Sequence, residues 1–205
     1  MKIVVDENMP HACELFAEFG EVVPLPGRQI GAADLQDADV LLVRSVTRVD
    51  AGLLASCPRL GFVGTATIGT DHIDTALLAE RGIPFFSAPG CNKYSVGDYV
   101  LSALLVLAER HELSLDQMSL AVIGAGNTGE CVAGKAEALG MRVLRCDPPR
   151  ARLEGAAGFV DYPTALSADI VSFHVPLTRE GQDATFHLLG QREIAARPAG
   201  QILIN

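Results

Sequence analysis

No run in this sequence is apolar for long enough to cross a bilayer. The longest, Tyr99–Ala108 ("YVLSALLVLA"), is far short of the roughly 20 residues a membrane helix needs, and it reads as a buried helix. A signal peptide is not expected, because "MKIVVDENMP" turns acidic straight after a short apolar run. Positive charge is scarce: 16 Lys and Arg against 25 Asp and Glu give a net charge of -9. Nucleic acid is thereby excluded as a partner, since phosphate polymers need a basic face. A small anion stays within reach of local basic groups and backbone N–H donors. The 5 cysteines, Cys13, Cys57, Cys91, Cys131 and Cys146, form no C-x-x-C. This argues against a zinc site or disulfide framework and fits a reducing cytoplasm. No G-x-S-x-G, Walker loop or H-E-x-x-H occurs, and no metal is expected.

What is present is an ordinary globular composition, 49% hydrophobic over 205 residues, enough for one large domain or two small ones. Strand-length apolar runs alternate with helix-period segments. "KIVV" precedes Ala12, Leu15, Phe16 and Phe19, spaced for one helical face, with Asn8 and Pro10 at its start and Gly20 at its end. "EVVPL", "DVLLV", "LGFVG" and "IPFF" read as further strands, separated by helical candidates near 31–37, 50–56 and 73–81. A helix over about 95–111 leads to a second series: strands at 119–124, 142–146, 168–175 and 201–204, a helix at 128–139, and a loop at 150–158. Continuous apolar strands alternating with helices predict parallel sheets covered on both faces. The expectation is two doubly wound α/β domains, 1–92 and 93–205, with no internal repeat.

The second series carries "AVIGAGNTGE", a G-x-G-x-x-G at Gly124, Gly126 and Gly129. The motif alone is weak evidence, but here it follows a strand and opens a helix, as dinucleotide binding requires. Gly124 permits the tight turn, Gly126 lets backbone approach a pyrophosphate, and Gly129 allows close helix–strand packing. The helix N-terminus offers free N–H groups to phosphates. Asp147, 18 residues past Gly129, ends the next strand where a carboxylate can bind ribose hydroxyls. It would repel a 2′-phosphate, favouring NAD over NADP, although Arg145 and Arg150 stand nearby. Gly134, inside the helix, costs roughly 1 kcal/mol relative to Ala and suggests close packing there. The bland alternative is a strand–helix turn without a ligand.

In the first series, polar residues collect after strands, where open parallel sheets bind ligands: Asp6, Glu7 and Asn8; Arg44, Ser45 and Thr47; Thr65, Thr67, Gly69 and Thr70; Ser87, Gly90 and Asn92. Any one of these reads as a turn or cap residue; together they suggest a crevice for a carboxylate or phosphate. His72 and Asp74 superficially look like a metal pair, but Asp74 suits a helix cap. His174 lies at a strand end facing the glycine loop and equally suits packing. Cys91 carries no sign of thiolate activation.

The layout, with "VRSVT", "GAGNTG" and "FHVPL", resembles the D-2-hydroxyacid dehydrogenase superfamily along the whole chain. More narrowly, "VDEN", "PGR", "FVGTATIGTDHID", "SAPGCN" and "CDPPR" resemble the branch that oxidises 4-phospho-D-erythronate at C2 in bacterial pyridoxal phosphate synthesis. The resemblance implies a flavodoxin-like substrate domain and a Rossmann NAD domain incomplete at its C-terminus. It also implies substrate contacts from Ser45 and Thr67, and NAD contacts from Asn127, Thr128, Asp147 and, through its backbone, Val175. The catalytic arginine, glutamate and histidine would lie beyond Asn205, as would the segment that makes the full-length cytoplasmic protein a homodimer. Lys93 and Tyr94 stand where the resemblance leads one to expect small residues. Competing readings are oxidation of 3-phosphoglycerate and a catalytically silent NAD-sensing protein.

Overall fold

The computed structural model describes residues 1–205, which divide into two compact units, Met1–Cys91 and Asn92–Asn205. In the first, five parallel strands stand in the order β2-β1-β3-β4-β5. They are β1 (Lys2–Asp6), β2 (Glu21–Leu25), β3 (Val40–Val43), β4 (Phe62–Thr65) and β5 (Phe85–Phe86). The order is that of flavodoxin-like sheets. Runs of Val, Ile and Leu form the central strands because both faces are covered, and Val4, Leu41, Val43 and Val63 are fully buried. Pro24 sits in β2 opposite Val5, which is tolerated because β2 is an edge strand.

The helical connections of this unit are shorter than their periodicity predicts. Helix α1 covers only Ala12–Phe16, and of the expected apolar face Leu15 and Phe19 remain 62% and 52% exposed. Five residues make little more than one turn before the chain bends back at Gly20, where a Cβ would lie 2.0 Å from the Met1 carbonyl oxygen. The candidates at 31–37 and 50–56 are 3₁₀ turns, Ala32–Leu35 and Leu53–Ser56; α2 spans Thr75–Glu80.

The second unit opens with α3 (Lys93–His111). Its parallel sheet runs β7-β6-β8-β9, with β6 Ser119–Ile123, β7 Arg142–Cys146, β8 Ile170–Phe173 and β9 Ile202–Ile204. A single parallel bridge, Arg145 to Phe159, continues the sheet outside β7, so the progression is that of a dinucleotide fold through its fifth strand. Side chains of β6 alternate between two cores. Leu120 and Val122 pack with Val100 and Leu104 of α3 and with Val132 and Ala133 of α4 (Asn127–Ala138). Ala121 and Ile123 pack with Cys146, Ala165 and Val171. The glycine that lets α3 and α4 approach is Gly97, where a Cβ would stand 2.7 Å from the Cys131 sulfur. Gly134 has nothing within 4 Å of such a Cβ, so the close packing expected there is absent.

The predicted loop at 150–158 is instead largely α5 (Pro148–Glu154). Asp147 caps it by accepting from the Arg150 N–H at 3.0 Å, and Pro148 and Pro149 occupy the first turn, where their missing N–H groups cost nothing. Two more short helices, α6 (Tyr162–Ala165) and α7 (Gln191–Ala196), complete the unit. No helix is long and apolar enough to cross a membrane.

Both sheets carry the same fastening at the amino ends of their strands. Asp39, just before β3, accepts from the Lys2 N–H at 2.7 Å, and its carbonyl accepts from Gly61. Asp169, just before β8, accepts from both the Ser119 N–H and hydroxyl at 2.7 Å, and its carbonyl accepts from Ile202. These bonds hold the Asp169 carboxyl below the usual carboxylate range. A lowered folded-state value means stability that is present above pH ~4 and lost as pH falls through the folded value. Asp169→Ala is therefore expected to cost about 1–2 kcal/mol at neutral pH, a modest figure because the carboxylate is solvent-exposed. Denaturant unfolding should show that deficit shrinking in acid; a deficit independent of pH would sink the electrostatic account.

Candidate functional site

Strand β6 ends at Ile123, and the chain turns into α4 through Gly124, Ala125 and Gly126. Gly124 has φ +88°, and a Cβ on it would stand 2.7 Å from the His174 carbonyl oxygen. Gly129 lies against the loop itself, its hypothetical Cβ 2.0 Å from the Gly124 carbonyl oxygen. Both glycines are required by the protein's own packing. Gly126 is different: its backbone is extended, and a Cβ there would meet nothing within 4 Å. Gly126 also heads α4 without any side-chain cap, whereas Asp74, Asp147 and Asp161 cap α2, α5 and α6. The result is a twelve-residue helix whose first turn receives no side-chain cap and carries the partial positive charge of a helix N-terminus. Asn127 is exposed and Thr128 half-buried on that first turn.

Asp147 joins the loop to α5. One carboxylate oxygen accepts from the Ala125 N–H at 2.9 Å, the other from Arg150 N–H. Each oxygen retains acceptor capacity, so the group can both fix the loop and receive a hydroxyl. Arg150 folds back over the same loop. It donates to the Ala125 carbonyl, to Glu130 at 2.8 Å, and through two nitrogens to Glu154 at 2.8 Å. Glu130 also takes Arg145, at 3.1 Å, and Arg145 reaches Glu137 at 2.7 Å. Arg150 and Arg145 are thus spoken for by carboxylates, and those carboxylates favour their charged forms further. Beside this network opens a cleft of about 510 Å³, lined by Lys93, Tyr94, Ala125, Gly126, Asn127, Glu130, Cys131, Arg150 and Glu154.

The end of β8 forms the other side of the turn. His174 N–H donates to the Ile123 carbonyl at 2.7 Å, and the Val175 side chain packs into the core behind the loop. The His174 ring hydrogen-bonds the buried Ser172 hydroxyl at 2.8 Å, and burial favours its neutral form. Its ring is engaged within the sheet, which supports the packing role weighed for it. Gly124, Gly126, Asn127, Thr128, Gly129, Asp147 and Val175 are therefore gathered at the carboxyl ends of β6, β7 and β8.

In the first unit, Ser45 and Thr67 follow adjacent strands, β3 and β4. Ser45 is exposed; the Thr67 hydroxyl donates to the Gly69 carbonyl at 2.9 Å and meets the Thr65 hydroxyl at 2.7 Å. Arg44 is half-buried and has no carboxylate partner. Two residues grouped with these do structural work instead. Asp6 is fully buried, one oxygen accepting from Asn8 N–H at 2.8 Å and the other lying beside Gly27 without a hydrogen-bond partner. Thr47 is buried and donates to the Gly27 carbonyl at 2.8 Å. His72 bonds Thr65 at 3.1 Å while Asp74 caps α2, so they do not act as a pair. Cys91 is exposed, its thiol facing the Ala66 carbonyl at 3.6 Å.

Sequence reasoning passed over Glu130 and Glu154, although Arg150 and Glu154 stand four apart just after the Asp-Pro-Pro helix start. It also passed over Lys93 and Tyr94 as cleft residues.

Comparison with known proteins places this geometry. The profile of the D-isomer specific 2-hydroxyacid dehydrogenase catalytic domain matches residues 3–196. Erythronate-4-phosphate dehydrogenase of Aeromonas hydrophila is 85% identical over 100% of this chain, and that of Tolumonas auensis 62%. The chain spans 55% of the length of each of these relatives. Among solved structures, a protein from Thermus thermophilus gives a TM-score of 0.83 at 27% identity, covering 99% of this chain and 72% of that one. The Aquifex aeolicus D-lactate dehydrogenase, crystallised with NAD and lactic acid, gives 0.81 at 24% identity, covering 99% and 68%. The chain belongs to the D-isomer specific 2-hydroxyacid dehydrogenase family.

Proposed function

We propose that the Asn92–Asn205 unit binds NAD, and that the protein oxidises 4-phospho-D-erythronate at C2 to the 2-oxo acid in pyridoxal phosphate synthesis. The observation that carries the cofactor reading is Gly126: it heads α4 beside the cleft, and with no Cβ its backbone is open to the close approach of a group outside the chain. The uncapped N-terminus of α4 and the adjoining cleft fit a pyrophosphate. Asn127 and Thr128 would contact the cofactor, Asp147 the adenosine ribose, and Val175 the cofactor through its backbone. Asp147 would repel a 2′-phosphate, and Arg150 beside it is already bound by Glu130 and Glu154, which favours NAD over NADP. When bound, NAD accepts the hydride.

The substrate reading draws on the relatives named for this activity. Ser45 and Thr67 would hold the phosphorylated hydroxy acid, with Arg44 as an unpaired cation beside them. The resemblance places a histidine–glutamate pair that would accept the hydroxyl proton, and an arginine that would polarise the developing carbonyl, beyond Asn205, in a cytoplasmic homodimer.

Titration of the chain with NAD and NADP tests the first half, and NADP binding as tightly as NAD would count against it. The full-length protein assayed with 4-phospho-D-erythronate and 3-phosphoglycerate tests the second. Ser45→Ala should raise KM about tenfold while leaving NAD affinity within about twofold; equal losses would remove Ser45 from the substrate site.

A further inference from the structure

The first turn of α3 forms a wall of the cleft beside the glycine loop: Lys93 and Tyr94 line it together with Gly126 and Asn127. Four charged residues border this space, Lys93, Glu130, Arg150 and Glu154. Arg150 is held by both glutamates at 2.8 Å, so these three leave the lining net negative. Lys93 makes no ion pair. Its ammonium sits 4.9 Å from the centre of the Tyr94 ring, a contact that orients a cation without neutralising it. Lys135, the nearest basic residue on α4, is already bound to Asp98 at 2.7 Å. Lys93 is therefore the one cation bordering the cleft that is free to receive an anion.

We propose that Lys93 binds the pyrophosphate of the dinucleotide, its ammonium facing phosphate oxygens that also receive the first N–H groups of α4. The inference rests on the dinucleotide reading and adds a residue to it. A pyrophosphate brings two negative charges to a chain whose net charge is -9. A helix N-terminus supplies only about half a charge. With Arg150 withdrawn, Lys93 supplies the remaining positive charge, and Tyr94 positions it.

Binding of adenosine, ADP and NAD to the parent chain, Lys93→Gln and Lys93→Arg separates the possibilities. For Lys93→Gln the expected result is about a tenfold loss of affinity for ADP and NAD, about 1.4 kcal/mol. Adenosine affinity should not change, and Lys93→Arg should keep most of the parent affinity. High salt should narrow the gap between parent and Lys93→Gln, as for any partly exposed charge pair. Unchanged ADP and NAD affinity in Lys93→Gln overturns the assignment, as does an equal loss for adenosine, which would point to a packing role. If the parent chain binds neither ADP nor NAD, the dinucleotide reading falls and this inference falls with it. Parent and variant binding NAD equally well leaves that reading standing and removes Lys93 alone.

Discussion

Gly129→Ala is expected to unfold the second unit at temperatures where the parent chain is stable. The substitution adds one methyl group to a helix and would ordinarily help, because alanine is favoured over glycine in helix interiors by about 1 kcal/mol. Here the added carbon would lie 2.0 Å from the Gly124 carbonyl oxygen and 2.9 Å from a Val122 methyl. The oxygen belongs to backbone pinned on both sides: the Gly124 N–H donates to the Cys146 carbonyl at 2.9 Å, and the Ala125 N–H to Asp147 at 2.9 Å. No side-chain rotation relieves the overlap. Relief requires α4 to move off β6, which opens the core where Val132 and Ala133 meet Leu120 and Val122. Overpacking that side chains can absorb costs about 1–3 kcal/mol; with backbone as the obstacle, roughly 4 kcal/mol is expected. In a unit of this size that lowers Tm by roughly 15 °C or more. Differential scanning calorimetry reads the effect directly. A variant melting within about 2 °C of the parent would mean that the loop and helix are not packed as described.

How far the sequence discloses this arrangement depends on whether a feature is local. Strand positions came through well, because a strand buried on both faces is written as a continuous apolar run, and "EVVPL" and "RVLRC" coincide with β2 and β7. Pro24 weakens β2 as a local signal, yet an edge position removes the objection. Helix lengths in the first unit came through poorly. The spacing of Ala12, Leu15, Phe16 and Phe19 promises a buried face, but the connection between β1 and β2 has room for one turn. The helix at 148–154 was hidden because "RARLEGAAG" looks loop-like, while the signals that start the helix, Asp147, Pro148 and Pro149, lie before it. The paired fastenings at Asp39 and Asp169 were overlooked although both sit in an Ala-Asp-β-branched triplet, "ADV" and "ADI". Their partners, Lys2 and Ser119, are 37 and 50 residues away, and only the sheet brings them together.

The site divides the same way. The glycines and Asp147 are legible because strand, turn and helix are consecutive and the acid falls at a fixed distance. The neutralisation of Arg150 is not legible, since Glu130 is 20 residues away in sequence, across a β-strand. Nor is the burial of Asp6, which looks in sequence like one of three polar residues at a strand end. Chemistry read from composition at strand ends therefore overstates the number of groups free to meet a ligand.

Gly126→Ala should have the opposite character to Gly129→Ala: an unchanged fold and a damaged site. The φ and ψ of Gly126, -77° and -161°, lie in the extended region open to alanine, and the new methyl group would touch no protein atom within 4 Å. Alanine is a poorer N-cap than glycine, which costs roughly 0.5–1 kcal/mol at this position. The Tm is therefore expected to fall by no more than about 5 °C, far less than for Gly129→Ala. The methyl group would instead project into the space beside the first N–H groups of α4, where a pyrophosphate must come within hydrogen-bonding distance of the backbone. Holding it even a few tenths of an ångström away weakens several charge-assisted bonds together. An increase in the NAD dissociation constant of about 30-fold, about 2 kcal/mol, is expected from titration calorimetry. Adenosine, which carries no phosphate, should bind the parent and Gly126→Ala alike. Undiminished NAD affinity would mean that the dinucleotide does not pass over this glycine, and the proposed role of the α4 N-terminus would have to be abandoned even if NAD binds elsewhere in the unit. A large fall in Tm would mean instead that Gly126 is held by packing, like its two neighbours in the motif, and would remove the observation on which the cofactor reading stands.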